Sequence, residues 1–315
     1  MQAIICHRYG STNVLKVEQK PAPKPSINQV LVEVKATSIN PVDWKIRSGK
    51  LIIKTGLKPP NILGSDFAGV VIEVGSQVKD YREGDEVWGK FDSFKGGSYA
   101  QMIVANSQNI SLKPKNLDFI QAAAIPNVAL TAYQAMHNKA NLKQGQRVLI
   151  NGASGGVGLM AVQIAKAMKC HVTAVCSAKN GSLVKSIGAD EVLDYNRVDI
   201  LATKNAYDLF FDCVSNQSFL RVISTLKAGG KHIKTTPDLF TVLGILLKPF
   251  HLKRPDHIMV QPNHKDLLQL KEWAENNELK PIVQQVFPMN EIAKAHKISE
   301  AGHVVGKLVM DTQKS

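Results

Sequence analysis

Between an apolar run, Arg147–Asn151, and a stretch of helical periodicity, Leu159–Met168, lies the segment Asn151-Gly-Ala-Ser-Gly-Gly-Val-Gly158. Read as Ala153-x-Gly155-x-x-Gly158, it varies the G-x-G-x-x-G pattern with alanine first. Small residues at these spacings permit a tight strand-to-helix turn, close approach of backbone to a pyrophosphate, and close packing of helix on strand. Free N–H groups and the helix dipole attract phosphate, which makes Ser154, Gly155, Gly156, Val157 and Gly158 candidate cofactor contacts. The next apolar run, His171–Cys176, leads into Ser177-Ala-Lys179-Asn180. A chain that binds NAD places a carboxylate here for the ribose hydroxyls, about 20 residues past the glycines. This one offers a hydroxyl and an ammonium: Ser177 can donate to a 2′-phosphate and Lys179 can neutralise it, so the segment points to NADPH.

The turn needs strands and helices to hold it, and the chain supplies them in alternation. Further apolar runs at Glu191–Leu193, Asp208–Asp212 and Lys231–Lys234 are separated by stretches long enough for helices. That rhythm predicts a parallel sheet covered on both faces. The first part of the chain reads differently. Gln29–Ala36 alternates apolar and polar, the period of a half-buried strand, and Phe67–Val74, Glu86–Trp88 and Ser98–Val104 follow as glycine-punctuated strands. Asn40-Pro-Val-Asp43 is a helix start, with a cap, a first-turn proline and an acid at the positive end. Near the end the strand pattern returns at Ile282–Phe287 and Lys307–Met310, around a helix at Glu291–Glu300. Domains are expected at 1–123 and 277–315 for the β-rich part and 124–276 for the alternating part.

Composition narrows the class. The 315 residues are 44% hydrophobic and 21% charged, enough apolar content for a folded core and too much for disorder. The most apolar stretch, Leu239–Phe250, breaks at Lys248-Pro249, short of the about 20 apolar residues a membrane span needs. It fits an acceptor channel, a dimer surface or a buried helix. Met1–Cys6 lacks the basic-then-apolar order of a targeting segment, so a cytoplasmic location is expected. Cys6, Cys170, Cys176 and Cys213 are widely spaced, with no C-x-x-C pair, and read as buried free thiols. The net charge of +13 is spread without a block of like charges, and arginine is scarce, which argues against a dedicated nucleic-acid surface.

The segments Ser38–Gly49, Gly64-Ser-Asp-Phe-Ala-Gly69, Gly84-Asp-Glu-Val87, Gly152–Gly158, Gly188-Ala-Asp190, Asp194-Tyr195 and Gly302-His-Val-Val-Gly-Lys307 occur in that order. In this the chain resembles the zinc-free quinone oxidoreductase branch of the medium-chain dehydrogenase/reductase superfamily, nearly end to end. The resemblance implies an α/β protein: a Rossmann doubly wound parallel sheet plus a GroES-like β-rich catalytic domain built from both chain ends, with a cleft between them. Alcohol dehydrogenases of the superfamily hold catalytic zinc on Cys, His, often Glu, and a second Cys. By similarity those positions are Asn40, Ser65, Asp66 and Asn127 here, and amides and a hydroxyl do not replace thiolate and imidazole.

Without a metal, the feasible chemistry is hydride delivery from NADPH to an acceptor that is already electrophilic, a quinone or an α,β-unsaturated carbonyl. The resemblance implies Asn40 as donor to the acceptor carbonyl, although capping the Pro41 helix fits its type equally well. It implies Lys45 as proton source or stabiliser, with a solvated side chain as the alternative. Thr131 and Tyr133 are expected beside the nicotinamide, Tyr195 near the adenosine 2′-phosphate, and His303 and Lys307 near the cofactor phosphates or nicotinamide. A homodimer or a monomer, with weak peripheral membrane contact compatible with catalysis, fits the same reading. The competing class is a non-catalytic NADPH-binding sensor drawn to anionic membrane or RNA by the +13 charge.

Overall fold

The computed structural model describes residues 1–59, 61–236 and 253–314. The apolar stretch Leu239–Phe250 lies outside the described residues. The chain divides into two compact units: Met1–Asn127 with Gln261–Asn276 and Pro281–Ser315, and Val128–Val260 with Asn277–Lys280. The boundary near the end therefore differs from that expected at 276/277. The helix His264–Glu275 belongs to the first unit, where its amphipathic face buries Leu267, Leu270 and Ala274. Its N-terminus is fixed there by His264, whose Nδ1 lies 2.6 Å from the Ile110 carbonyl and 3.2 Å from the Tyr81 hydroxyl.

Among the described residues the second unit carries a six-stranded parallel sheet in the order Glu191–Asp194, His171–Cys176, Arg147–Asn151, Tyr207–Asp212, Leu226–Lys234, Arg254–His257. With Arg147–Asn151 as strand one, this is the 3-2-1-4-5-6 order of a Rossmann sheet. The inner strands are apolar along their length because helices cover both faces. The helix Gly156–Ala167 buries Leu159, Met160, Ala161, Val162, Ile164 and Ala165, so it is apolar around most of its circumference.

The first unit is built on a seven-stranded, mostly antiparallel sheet. Its order is Val283–Pro288, Lys307–Asp311, Gln29–Ile39, Asp66–Val74, Glu86–Lys90, Ile110–Leu112, with Met102–Asn106 also on Gln29–Ile39. The strand expected at Ser98–Val104 begins only at Met102, because Tyr99 turns its ring into the core and Ala100 makes a single bridge to Ala3. Gln29–Ile39 lies at the centre. Leu308 pairs with Ile39 on one side, and Ala68 pairs with Ala36 on the other. That register brings Lys307 beside Asn40 and Asp66 beside Ser38, three segments more than 25 residues apart in sequence. A hairpin of Gln2–Cys6 with Leu15–Gln19 completes the unit. All four cysteines are free; three are buried and Cys213 is half-buried.

Candidate active site

In the second unit, the strand Arg147–Asn151 ends in the glycine turn, and Gly155 caps the helix that begins at Gly156. Gly152 turns the chain at φ +83°, a conformation open to glycine at little cost. A Cβ on Gly158 would sit 2.2 Å from the Gly152 carbonyl oxygen and 2.6 Å from the Ala153 Cα, so only glycine lets helix and turn close this tightly. At Gly155 the nearest atom would be 3.6 Å away, which leaves the outer side of the turn open for a ligand. The first N–H groups of the helix have no intrahelical acceptor. The residues therefore fit a pyrophosphate.

Asn180, whose type and position alone suggest no role, ties this turn to the next strand end. Its Nδ2 donates to Ser154 Oγ at 3.0 Å and reaches Ser177 Oγ at 3.4 Å. Asp194 is registered opposite Cys176, so Ser177 and Lys179 leave one strand where Tyr195 leaves its neighbour. Lys179 and Tyr195 are both exposed. One carboxylate does stand at this edge, Asp194. It is engaged by its own turn, accepting from the Asn196 N–H at 3.0 Å and lying 3.6 Å from the exposed Arg197 guanidinium, a cation with no motif to mark it. The floor beside the turn is set by Asn151, whose amide donates to Asp212 and to Asn216, both at 2.8 Å. Burial pushes the Asp212 carboxyl up, but hydrogen bonds from His232, the Gln217 N–H and Asn151 hold it below the usual range. Thr131 and Tyr133 lie buried on the helix Pro126–Tyr133. The Tyr133 ring stacks on His137 at 4.9 Å, across the start of the π-helical stretch Gln134–Ala140, a distortion frequent at functional sites.

In the first unit the predicted residues separate. Asn40 is wholly buried and its amide is enclosed. Its Oδ1 accepts from Lys307 Nζ at 2.6 Å and from Asn127 Nδ2 at 3.0 Å, while its Nδ2 donates to Asp66 Oδ2 at 2.9 Å. Asn40 stands at the N-cap of the helix Pro41–Arg47, as its type suggested, while its side-chain amide is spent on this buried network. Asp43 supplies the reciprocal bond of the helix start, accepting the Asn40 N–H at 2.7 Å. Burial pushes the Asp43 carboxyl up to about 6, opposed by hydrogen bonds from Asn40 and Tyr99 and by the charge of Lys307. Lys307, expected near the cofactor phosphates or the nicotinamide, turns its ammonium inward onto Asn40 and the Ile39 carbonyl, because its strand is registered against Gln29–Ile39. His303 stands exposed at φ +63° in the loop before that strand. Lys45 is half-buried beside Trp44, and burial together with the neighbouring Lys50 charge lowers its pKa. Among the described residues it makes no side-chain hydrogen bond, which leaves its proton available.

The family model described as "Alcohol dehydrogenase GroES-like domain" matches residues 26–115, and "Zinc-binding dehydrogenase" matches 187–310. None of Asn40, Ser65, Asp66 and Asn127 lies in the second span. The Chloroplast envelope quinone oxidoreductase homolog of Arabidopsis thaliana is 34% identical, covering 99% of this chain and 98% of that protein. The NADPH-dependent alkenal/one oxidoreductase, chloroplastic, of the same plant is 33% identical over 98% of this chain and 79% of that protein. The solved structure of the quinone oxidoreductase from Coxiella burnetii superposes with a TM-score of 0.88 at 34% identity, covering 99% of each chain. Oxidoreductases recur throughout, and a non-catalytic sensor finds no support among them. Similarity of this extent to proteins that share both sheets is common descent: the chain belongs to the quinone oxidoreductase branch of the medium-chain dehydrogenase/reductase superfamily.

Proposed function

We propose that this chain is an NADPH-dependent reductase that delivers hydride, without a metal, to a quinone or an α,β-unsaturated carbonyl. The observation that carries the reading is the donor set around Asn40. Where the resemblance puts zinc ligands there are two amides, a hydroxyl and one carboxylate, with a lysine ammonium 2.6 Å from an amide oxygen among them. A zinc ion is held by thiolate and imidazole, and an adjacent ammonium repels it, so these residues do not fit the metal. Alcohol oxidation through a metal alkoxide is therefore not the reaction. An acceptor that spreads the incoming electron pair onto its own oxygen needs no Lewis acid.

For the cofactor the residues fit. The open side of the glycine turn takes the pyrophosphate, Ser177 and Lys179 meet the 2′-phosphate beside Tyr195, and Thr131 and Tyr133 border the nicotinamide. NADPH supplies the hydride. Lys45, with a pKa lowered by burial and by Lys50, gives the proton that completes reduction.

The test is steady-state NADPH oxidation with naphthoquinone, phenanthrenequinone and short enals, before and after treatment with a strong chelator. The expected result is turnover indifferent to the chelator, with kcat/KM for NADPH at least about tenfold above NADH and that preference removed by Lys179→Ala, a loss of about 1.4 kcal/mol. No turnover with any acceptor overturns the reading, and equal use of both nicotinamides overturns its cofactor.

A further inference from the structure

Lys307 carries its amine into an interior where it is 4% exposed, and the burial that lowers its pKa is opposed by the charges of Asp66 and Asp43. Two of its N–H groups are used, on the Ile39 carbonyl at 2.9 Å and on Asn40 Oδ1 at 2.6 Å, and Asp66 Oδ2 lies 4.0 Å away. The two side-chain oxygens are each held by something else. Ser38 Oγ donates to Asp66 Oδ2 at 2.6 Å, and the Asn127 N–H donates to Asp66 Oδ1 at 2.7 Å. Asn127 Nδ2 and Asp66 between them fix which way the Asn40 amide faces, with its oxygen on the ammonium. The second buried lysine nearby, Lys90, is engaged elsewhere, donating to the Phe91 carbonyl at 2.8 Å and to Ser93 Oγ at 3.0 Å. The oxygens around Lys307 thus converge on one point with their negative ends inward. Backbone carbonyl, amide oxygen and carboxylate are the hard donors that hold a cation, and here the cation arrives on the last strand.

We propose that this cluster is a cation site built into the GroES-like unit, and that the Lys307 ammonium is its tethered occupant. It does for Asn40 and Asp66 what a metal ion does for its ligands: it fixes their orientation and balances their charge. Because the occupant is covalent, no chelator removes it and no coordination position opens for a substrate. Lys307 is on this account a positioning residue. A merely space-filling lysine would leave the site indifferent to any cation offered from solution.

The experiment compares thermal unfolding of wild type, Lys307→Ala and Lys307→Met in ammonium chloride or methylamine hydrochloride against choline chloride at equal ionic strength. Lys307→Ala vacates the site and takes from buried Asp66 and Asp43 a positive charge that acts on both, so it is expected to unfold at a lower temperature. Ammonium or methylamine should raise its Tm by about 3 °C or more while wild type stays level, since only the vacated site takes a free cation. Lys307→Met fills the space without charge and should not respond. If neither single variant folds, the double variant Lys307→Met/Asp66→Asn is decisive. Removing both charges should restore a cooperative transition, because neither member of the pair is then left buried without the other. A Lys307→Met protein as stable as wild type overturns the proposal. So does a folded Lys307→Ala that ignores both cations, or a double variant no more stable than the single ones. None of these measurements uses turnover, so they stand apart from the identity of the acceptor.

Discussion

In the turn Asn151–Gly158 the working groups are backbone N–H groups, and the side chains contribute mainly by being small. In the cluster around Asn40 the working groups are side chains, drawn from Ser38, Asn40, Asp66, Asn127 and Lys307. The turn is contiguous, and its tolerance is limited by steric room: 2.2 Å at Gly158 against 3.6 Å at Gly155. The cluster is assembled by strand register, and its tolerance is limited by charge and hydrogen-bond balance. One region fails when an atom is added, and the other when one is taken away.

The sharpest way to break this contrast is a single methyl. Gly158→Ala drives a Cβ into the Gly152 carbonyl and the Ala153 backbone, which cannot rotate aside. Overpacking costs about 1–3 kcal/mol where side chains yield; against backbone the loss should reach or pass the upper figure. Urea unfolding should show it. Gly155→Ala meets nothing closer than 3.6 Å and should leave the unfolding midpoint nearly unchanged while weakening NADPH binding by calorimetry, since the added methyl stands on the open side of the turn. If the two variants were equally stable, steric room would not be what makes the turn a glycine turn.

The cluster's counterpart is Ser38→Ala, which removes the 2.6 Å hydroxyl donor from Asp66 and adds no atom. Hydrogen bonds to a charged group contribute about 1.5–3 kcal/mol, and a buried carboxylate that loses one recovers nothing from water. A lower unfolding midpoint with unchanged NADPH affinity is the expected pair of results. Loss of NADPH affinity with normal stability would reverse the assignment of function between the two regions.

These two regions were legible in the sequence to different degrees, for the same physical reason. The turn shows itself because every residue it needs lies within eight positions and follows an apolar strand, so spacing alone carries the geometry. The parallel sheet was legible for a similar reason, each inner strand being a short apolar run buried on both faces. Asn40 stood out by type, yet its partner did not. Lys307 stood out only through the resemblance, as a cofactor contact, and nothing in the sequence sets it against an amide oxygen until Leu308 pairs with Ile39. Asn180 was in plain view beside Ser177, but its bond to Ser154 spans 26 residues and depends on how two loops meet. Helix His264–Glu275 falls in the first unit, before the boundary expected at 276/277, because an amphipathic face says that a helix packs, not against what.

The smallest effect at neutral pH comes from a residue of the first unit that takes no part in its charge balance. His296 is fully buried, with its ring edge-on to Tyr99 at 5.8 Å, and neither ring nitrogen has a hydrogen-bond partner among the described residues. Burial, helped by the Arg47 charge, lowers its pKa from 6.5 to about 3. The unfolded chain therefore takes up a proton as pH falls below about 6.5, whereas the fold resists doing so until about pH 3. The stability this group allows is complete above the unfolded pKa and is lost progressively across that window. Asp43 slopes the other way. Its pKa rises from 3.8 to about 6, so the fold keeps a proton that the unfolded chain has released, and the contribution weakens as pH rises from 3.8 to 6. His296→Phe preserves the edge contact with Tyr99 and removes two unpartnered nitrogens, so at pH 7.5 its Tm should lie within about 2 °C of wild type. As pH falls from 6.5 to 4 the variant should gain steadily on wild type, because it lacks the His296 slope and shares all the others. A Tm difference that stays constant from pH 7.5 to 4 would mean that His296 already carries its proton in the fold. In that case burial would not be what governs this face of the core.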